Sequence, residues 1–282
     1  TPNEFIQAIL QAPVDLLWNG GIGTYVKGSD ESHADVGDKS NDAVRINGAQ
    51  LRCKVVGEGG NLGMTQMGRV EYCLNGGACN TDFIDNSGGV DCSDHEVNAK
   101  ILLNKVMADG ALNQAQRDRL LKSMTEDVAH LVLRNNYQQT QAISLAQAEA
   151  VERASEYRRL MSIWHNQGRL NRELEFLPDD ETLTARQAQG QSLTRPELAV
   201  LTSYAKAILK EDLAQSDIAS DDYVSRFAHN AFPMPLREKY PEYINNHQLR
   251  RELVATQVAN DLVNRMGISF AQRLLDSTGV DT

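Results

Sequence analysis

Basic residues are scarce in this chain of 282 residues, which carries 28 Lys and Arg against 38 Asp and Glu, a formal net charge of -10. Nucleic acids and anionic membranes attract a basic face, so we expect neither as a partner. No apolar run approaches the ~20 residues that a membrane-spanning helix needs, and the N-terminus lacks a signal-peptide pattern. These absences predict a cytoplasmic protein.

Cysteine and recognisable nucleophile motifs are scarce as well. The four cysteines, at positions 53, 73, 79 and 92, match no usual zinc or redox spacing, which predicts reduced, partly buried thiols rather than a metal site or disulfides. The chain has neither a G-x-S-x-G elbow nor an H-E-x-x-H pair. Of the six histidines, only His33, which lies among acids, remains a candidate for a functional group.

Glycine is almost absent from the second part of the chain: 15 of the 20 glycines fall in residues 1–100. The first part alternates short apolar runs with glycine-rich turns, which predicts a helix at 3–11 and strands at 14–18, 53–57 and near 82–85. Strands separated by helix-length connections favour a parallel sheet. We therefore predict an α/β domain over residues 1–92, followed by an all-α, helical C-terminal domain over residues 93–282.

Two S/T-x-x-E patterns predict helix starts in the second part. One is Ser93 with Glu96, and the other is Thr194 with Glu197. Further helices are predicted at 221–230, 248–266 and 268–276, while the polar segment 178–191 reads as a linker or exposed loop.

Two segments of the first part have the composition of a cofactor site. Residues 55–61 read V-V-G-E-G-G-N and residues 86–93 read N-S-G-G-V-D-C-S, so each is rich in glycine and contains asparagine. Glycine lets the main chain approach a ligand closely, and an asparagine amide both donates and accepts hydrogen bonds. Taken alone, each segment also fits a tight turn, and Ser93 with Glu96 also fits a plain helix cap.

Two other segments are weaker candidates. Residues 28–47 carry five acids but lack the ligand spacing of an EF-hand, which favours a solvated or substrate-lining loop over a calcium site. The G-G-I-G-T run at 20–24 lacks the last glycine of a dinucleotide fingerprint, and no clear helix follows it.

The two glycine segments together resemble the glutamate dehydrogenase family. Its coenzyme domain carries an E-G-A-N-x-x-x-T segment, followed by N-A-G-G-V with a nearby serine and glutamate. The matching residues here are listed in chain order: Glu58, Gly59, Gly60, Asn61, Thr65, Asn86, Ser87, Gly88, Gly89, Val90, Ser93 and Glu96. The wording of residues 18–27, 35–38 and 91–98 is similar to the large bacterial NAD-dependent members.

The resemblance implies NAD as cofactor, L-glutamate and 2-oxoglutarate as ligands, and the second half of a Rossmann-like NAD-binding domain. By family analogy, Gly59, Gly60 and Asn61, with Glu58 in the same motif, would lie along the nicotinamide ribose. Asn86 would address the nicotinamide end, and Ser93 would reach the distal carboxylate of glutamate.

The lysine, aspartate and complete fingerprint of the family are not found at matching positions, so the resemblance implies no catalytic residue in this chain. The sequence begins at Thr1 without methionine, and we expect a C-terminal fragment of a larger, homo-oligomeric enzyme that is inactive alone. Two alternatives stay open. One is a dehydrogenase of another amino acid, against which the polar Ser93 argues. The other is a non-catalytic helical module, over residues 100–282, for assembly or regulation.

Overall fold

The computed structural model describes residues 1–279, which form two compact units. The first unit comprises Thr1–Ser87 and Ile143–Ser203, and the second comprises Gly88–Ala142 and the chain from Tyr204 onward. The predicted boundary at 92/93 rests on the loss of glycine and on the change to helical periodicity, and it makes each domain one continuous stretch, whereas each unit combines two separate stretches of chain.

The first unit contains four short strands and four helices before residue 87. In chain order they are α1 (Pro2–Leu10), β1 (Leu16–Asn19), β2 (Val26–Lys27), α2 (His33–Val36), β3 (Ile46–Asn47), β4 (Val55–Glu58), α3 (Gln66–Leu74) and α4 (Asp82–Asp85). Short 3-10 helices occupy Lys39–Asn41 and Gly48–Gln50. The predicted helix at 3–11 and the predicted strands at 14–18 and 53–57 are confirmed as α1, β1 and β4.

Both strand pairs are parallel, as the sequence predicts. β1 runs beside β4 with Leu16 opposite Val55 and Asn19 opposite Glu58, and β2 runs beside β3. A further bridge joins Val55 to Ala78 on the other side of β4. Because parallel strands end at the same edge, Asn19 and Glu58 deliver the following glycines to one place.

The third predicted strand is wrong, because residues 82–85 form the helix α4. A run of four residues is too short for its periodicity to separate strand from helix. The local chemistry favours the helix. Thr81, the residue before the helix, has the extended backbone of an N-cap residue. Asp82 and Asp85 carry negative charge in the first turn of the helix, where its dipole stabilises anions.

An apolar core lies beneath the parallel strands of the first unit. It is formed by buried residues from the strands, from α3 and from the segments between them: Val26, Ile46, Leu51, Cys53, Val56, Met64, Tyr72 and Cys79. The later stretch of this unit holds the end of α7 (Thr125–Ala148), α8 (Ala154–Asn166), α9 (Asp180–Ala188) and the start of α10 (Arg195–Gln215).

The predicted linker at 178–191 is wrong, because α9 occupies most of it. Asp179 caps this helix by accepting a hydrogen bond from the Thr182 amide at 2.7 Å, and Leu183 is buried. A polar composition misled the prediction, since a helix that buries a single apolar residue leaves almost no periodic signal. The predicted start of α10 is confirmed: the Thr194 amide donates to the Glu197 carboxylate at 2.6 Å.

The second unit is helical throughout its described residues. Its elements are α5 (Ser87–Ala108), α6 (Gln114–Ser123), the first part of α7, the second part of α10, α11 (Met234–Lys239), α12 (Pro241–Asn245), α13 (Arg250–Met266) and α14 (Phe270–Thr278), with 3-10 helices at Ile218–Ser220 and Val224–Ala231. The helices predicted at 248–266 and 268–276 are confirmed as α13 and α14, and the one at 221–230 is a 3-10 helix. Within residues 1–279, no helix has the length and apolar character needed to cross a bilayer.

Candidate functional site

The ends of β1 and β4 bring two glycine-rich turns into direct backbone contact. The amides of Gly59 and Gly60 both donate to the carbonyl oxygen of Asn19, at 2.8 and 3.1 Å. Gly60 also lies against Gly21, because a β-carbon on residue 60 would fall 2.3 Å from the Gly21 carbonyl oxygen. Position 60 therefore requires glycine. The neighbouring atom belongs to the backbone, which cannot move aside as a flexible side chain could.

Trp18 lies over the same strand end. A β-carbon on Gly57 would fall 2.7 Å from the Trp18 ring, and one on Gly59 would fall 2.5 Å from it. Trp18 as a whole remains 61% exposed. Sequence reasoning did not assign Trp18, Asn19 or Gly21 to the site; the available signal was a tryptophan directly before N-G-G at the end of a predicted strand.

Asn61 and Asn86, 25 residues apart, meet at this edge. The side-chain amide of Asn86 donates a hydrogen bond to the side-chain oxygen of Asn61. Asn61 is exposed in the turn after β4, and Asn86 is half-buried at the C-terminal end of α4. The two asparagines selected from the sequence therefore share one location, although Asn86 follows a helix and not the strand that was predicted.

Two aspartates of α4 hold this arrangement together. The Asp85 carboxylate accepts from the Glu58 amide at 3.0 Å and from the Asn80 side chain at 2.6 Å. The Asp82 carboxylate accepts from the Leu62 amide at 2.8 Å. Carboxylates that accept backbone N–H groups fix α4 against the loop after β4, and this fixes Asn86 beside Asn61.

The Glu58 side chain is buried and points away from solvent. Its two oxygens accept hydrogen bonds from Arg69 at 2.7 and 2.9 Å, and one also accepts from the Met64 amide at 3.1 Å. Burial raises the pKa of the Glu58 carboxyl, while the hydrogen bonds from Arg69 act in the opposite direction. Arg69 also lies 3.2 Å from Asp82. The buried Glu58 carboxylate therefore fixes the conformation of the loop that follows β4.

Ser93 lies in the interior of α5, which begins at Ser87, so its predicted role as a helix cap is wrong. Its hydroxyl donates to the Gly89 carbonyl at 3.3 Å, the local pattern of a serine within a helix, and its side chain is exposed. The S-x-x-E pattern misled the prediction because α5 extends through Gly88 and Gly89, which are poor helix formers. Ser93 belongs to the second unit.

A small apolar cleft of about 210 Å³ adjoins the strand ends of the first unit. Its lining includes Trp18, Asn19, Gly21 and Gly63 beside apolar side chains of α1 and the strands. The mostly apolar lining of this cleft suits a flat apolar group.

The acidic loop 28–47 folds around an arginine. Arg45 is buried, lies 2.6 Å from the Asp42 carboxylate and donates to His33 Nδ1 at 2.8 Å. His33 therefore accepts here, since a guanidinium can only donate. Among residues 1–279, no group of three or more His, Cys, Asp or Glu side chains is arranged to hold a metal ion.

The family model for the catalytic domain of bacterial NAD-glutamate dehydrogenase matches residues 1–146, more than half of the chain. The chain belongs to this family. A second model, for the C-terminal part of glutamate dehydrogenase, matches residues 190–282. The family resemblance read from the motifs at 58–65 and 86–96 is thereby confirmed.

Three curated relatives, each named NAD-specific glutamate dehydrogenase, match nearly the whole chain. The protein of Pseudomonas aeruginosa is 62% identical over 279 residues, 99% of this chain. The protein of Halomonas elongata is 55% identical over 281 residues, and that of Mycobacterium tuberculosis is 47% identical over 279 residues. The chain spans 17% of the length of each relative.

Proposed function

We propose that this chain supplies the nicotinamide-facing wall of an NAD-dependent glutamate dehydrogenase, which oxidatively deaminates L-glutamate to 2-oxoglutarate and ammonia. The observation that carries the proposal is the meeting of Asn61 and Asn86 at the glycine-rich end of β4. The names of the three relatives support the same reaction. NAD, when bound, would accept the hydride from the substrate carbon.

The chemistry of the two amides fits the carboxamide of a nicotinamide ring. Their mutual hydrogen bond uses the oxygen of Asn61 and a donor of Asn86. The amino group of Asn61 and the oxygen of Asn86 can therefore meet the acceptor and the donor of a carboxamide. Gly59 and Gly60 lack a β-carbon on the side that Trp18 and Gly21 fill, and the backbone of the two glycines would lie against the ribose.

Glu58 contributes to cofactor binding through position and not through contact. Its carboxylate holds Arg69 and the Met64 amide, and its own amide is held by Asp85. These bonds set the path of the backbone into Gly59, Gly60 and Asn61. Glu58 is thus a positioning residue of the proposed NAD site.

Ser93 would bind the distal carboxylate of glutamate. Its exposed hydroxyl makes only a long bond to the Gly89 carbonyl, at 3.3 Å, which a better acceptor can replace. A hydroxyl in this position favours glutamate over leucine or phenylalanine, because an apolar side chain offers it no better acceptor than the Gly89 carbonyl.

The architecture that we propose is half of a Rossmann-like domain over residues 1–92, with the helical residues 93–282 acting as a second domain of a homo-oligomeric cytoplasmic enzyme. The parallel pairing of β1 with β4 across a long connection supports the first part. The isolated chain should be inactive, because half of a site cannot hold NAD and substrate in reacting geometry. Purified chain that formed NADH from glutamate at the rate of an intact enzyme would refute this.

The test of the proposed site is Asn86→Ala in an intact enzyme that contains this chain. Loss of one amide contact to the nicotinamide should raise KM for NAD about tenfold, which corresponds to ~1.4 kcal/mol. KM for glutamate should change much less.

Asn246→Ala is the matched control. Asn246 also ends a short helix, α12, and donates to the Glu242 carbonyl of that helix at 2.8 Å, but it belongs to the second unit, whereas the strand ends belong to the first. It should leave both KM values unchanged. If the two variants behave alike, with Asn86→Ala folded and kinetically normal, the amide of Asn86 does not meet the cofactor and the proposal fails.

A further inference from the structure

Two free cysteines of the first unit face each other without a bond between them. Cys73 lies in the last turn of α3 and Cys79 follows a turn at residues 75–78, and their sulfur atoms are 3.5 Å apart. The turn is fixed, because the Gly77 amide donates to the Tyr72 carbonyl at 3.1 Å and the Ala78 amide donates to the Lys54 carbonyl at 3.1 Å. The two thiols are therefore held in contact by backbone.

We propose that Cys73 and Cys79 form a site of reversible thiol–disulfide exchange, which takes a small-molecule disulfide as co-reactant and ends in an intramolecular Cys73–Cys79 bond. A disulfide bond brings sulfur atoms to about 2.05 Å, so the two need to move roughly 1.5 Å closer than their present 3.5 Å. Side-chain rotation at the end of a short helix can supply such a movement.

The exposure of the two residues sets the order of the steps. Cys73 is half-buried and can meet a reagent, whereas Cys79 is 3% exposed. The hydrogen bond with Cys79 lowers the pKa of the Cys73 thiol, which favours the nucleophilic thiolate. Cys73 attacks one sulfur of the small disulfide, the S–S bond of the reagent breaks, and one thiolate leaves and takes a proton from water.

The second step closes the pair. Cys79 loses its proton to solvent, attacks the Cys73 sulfur of the mixed disulfide and displaces the second small thiolate. The chain loses two protons and two electrons, and the reagent takes up both to become two thiols. In the reduced chain the pKa of Cys79 is raised, first by its hydrogen bond with Cys73 and then by burial. The mixed disulfide removes the first of these causes.

The pair lies behind the candidate cofactor site. The Cys79 thiol points to the carbonyl of Arg69, at 3.9 Å, and Arg69 holds Glu58. The next residue, Asn80, donates to Asp85, which in turn accepts from the Glu58 amide. Formation of the bond would therefore shift Arg69 and Asp85, the two residues that hold Glu58 in place.

The test uses the chain and oxidised glutathione as the probe. After incubation of the native chain, acid quenching, denaturation and alkylation, the number of reactive thiols should fall from four to two without retained glutathione. Chymotryptic cleavage after Leu74 should leave the Cys73 and Cys79 peptides joined until dithiothreitol is added. Retention of four thiols, or pairing through Cys53 or Cys92, would overturn the proposal.

Three variants assign the steps. Cys79→Ser should accumulate glutathione on Cys73, because the resolving thiol is gone, and Cys73→Ser should leave Cys79 unmodified. Cys92→Ser is the control and should still lose two thiols, since Cys92 lies in α5 of the second unit. An unmodified Cys73 in folded Cys79→Ser contradicts the order of attack. If that variant fails to fold, the peptide map of the parent chain still decides.

Discussion

Gly60 lies directly against Gly21, with the Gly21 carbonyl oxygen 2.3 Å from where a β-carbon on residue 60 would be. Gly60→Ala should therefore destabilise the chain by about 1–3 kcal/mol, because backbone and not a mobile side chain has to move. The measurement is the free energy of unfolding in urea.

Gly89→Ala is the matched control for this substitution. Gly89 lies in α5, and a β-carbon there would meet no atom within 4 Å. Alanine should stabilise this helix by up to about 1 kcal/mol, because it lowers the conformational entropy of the unfolded chain and has a higher helix propensity than glycine. Equal effects at positions 60 and 89 would mean that the two glycine turns are not in contact.

The ion pair of Glu58 and Arg69 should show strong energetic coupling. Arg69→Met leaves the buried Glu58 carboxylate without its partner, and we expect a loss of about 3–5 kcal/mol in the free energy of unfolding. The double variant Glu58→Met with Arg69→Met should lose less than the sum of the two single variants. If the loss in the double variant equals the sum of the two single losses, the coupling energy is zero and the pair lies in solvent instead of in the interior.

Ser93→Ala should leave the stability of the chain within about 0.5 kcal/mol of the parent, because Ser93 is inside α5 and caps nothing. Asn113→Ala is the comparison: Asn113 caps α6 by accepting from the Gln116 amide at 2.9 Å, so its loss should cost about 1 kcal/mol. In an intact enzyme, Ser93→Ala should raise KM for glutamate and spare KM for NAD. Unchanged glutamate kinetics would remove Ser93 from the proposed substrate site.

Lys206 of α10 gives a pH-dependent prediction. Burial lowers its pKa from 10.5 to about 8, so the folded chain binds this proton less tightly than the unfolded chain does. The unfavourable contribution of the charged amine is complete below pH 8 and is relieved as the pH rises from 8 to 10.5. Lys206→Met should therefore stabilise the chain at pH 7, by about 1–3 kcal/mol.

The measurement is the free energy of unfolding of the parent chain and of Lys206→Met, compared across this pH range. The advantage of Lys206→Met in urea unfolding should shrink above pH 8 and nearly vanish near pH 10.5. A constant difference across this range would show that the amine remains solvated. Lys210→Met, on the exposed side of the same helix, is the control and should change little at any pH.

The strand ends could be predicted because their signals are local and agree with each other. β1 and β4 combine apolar runs with glycine directly after the strand, and the motif at 58–61 selected the residues that the structure gathers with Asn86. The parallel pairing followed from the length of the connection between the strands.

The errors arose where tertiary contacts replace local signals. At residues 82–85 the helix is fixed by carboxylates that accept amides from the distant residues Glu58 and Leu62, and no sequence pattern announces such partners. The bond between Glu58 and Arg69, which lie 11 residues apart, could not be read from spacing either, and the assignment of Glu58 to the cofactor site stays a prediction. α9 was missed because it buries only Leu183.

The position of Trp18 lets its intrinsic fluorescence report what occupies the strand ends. The sequence has two tryptophans; Trp164 is 5% exposed, whereas Trp18 is 61% exposed and covers Gly57 and Gly59. Water around an indole shifts its fluorescence to longer wavelength, so the long-wavelength part of the emission should come mainly from Trp18 at the strand ends. Any molecule that settles on Gly59 displaces that water, so occupancy could be followed by fluorescence without attaching a dye.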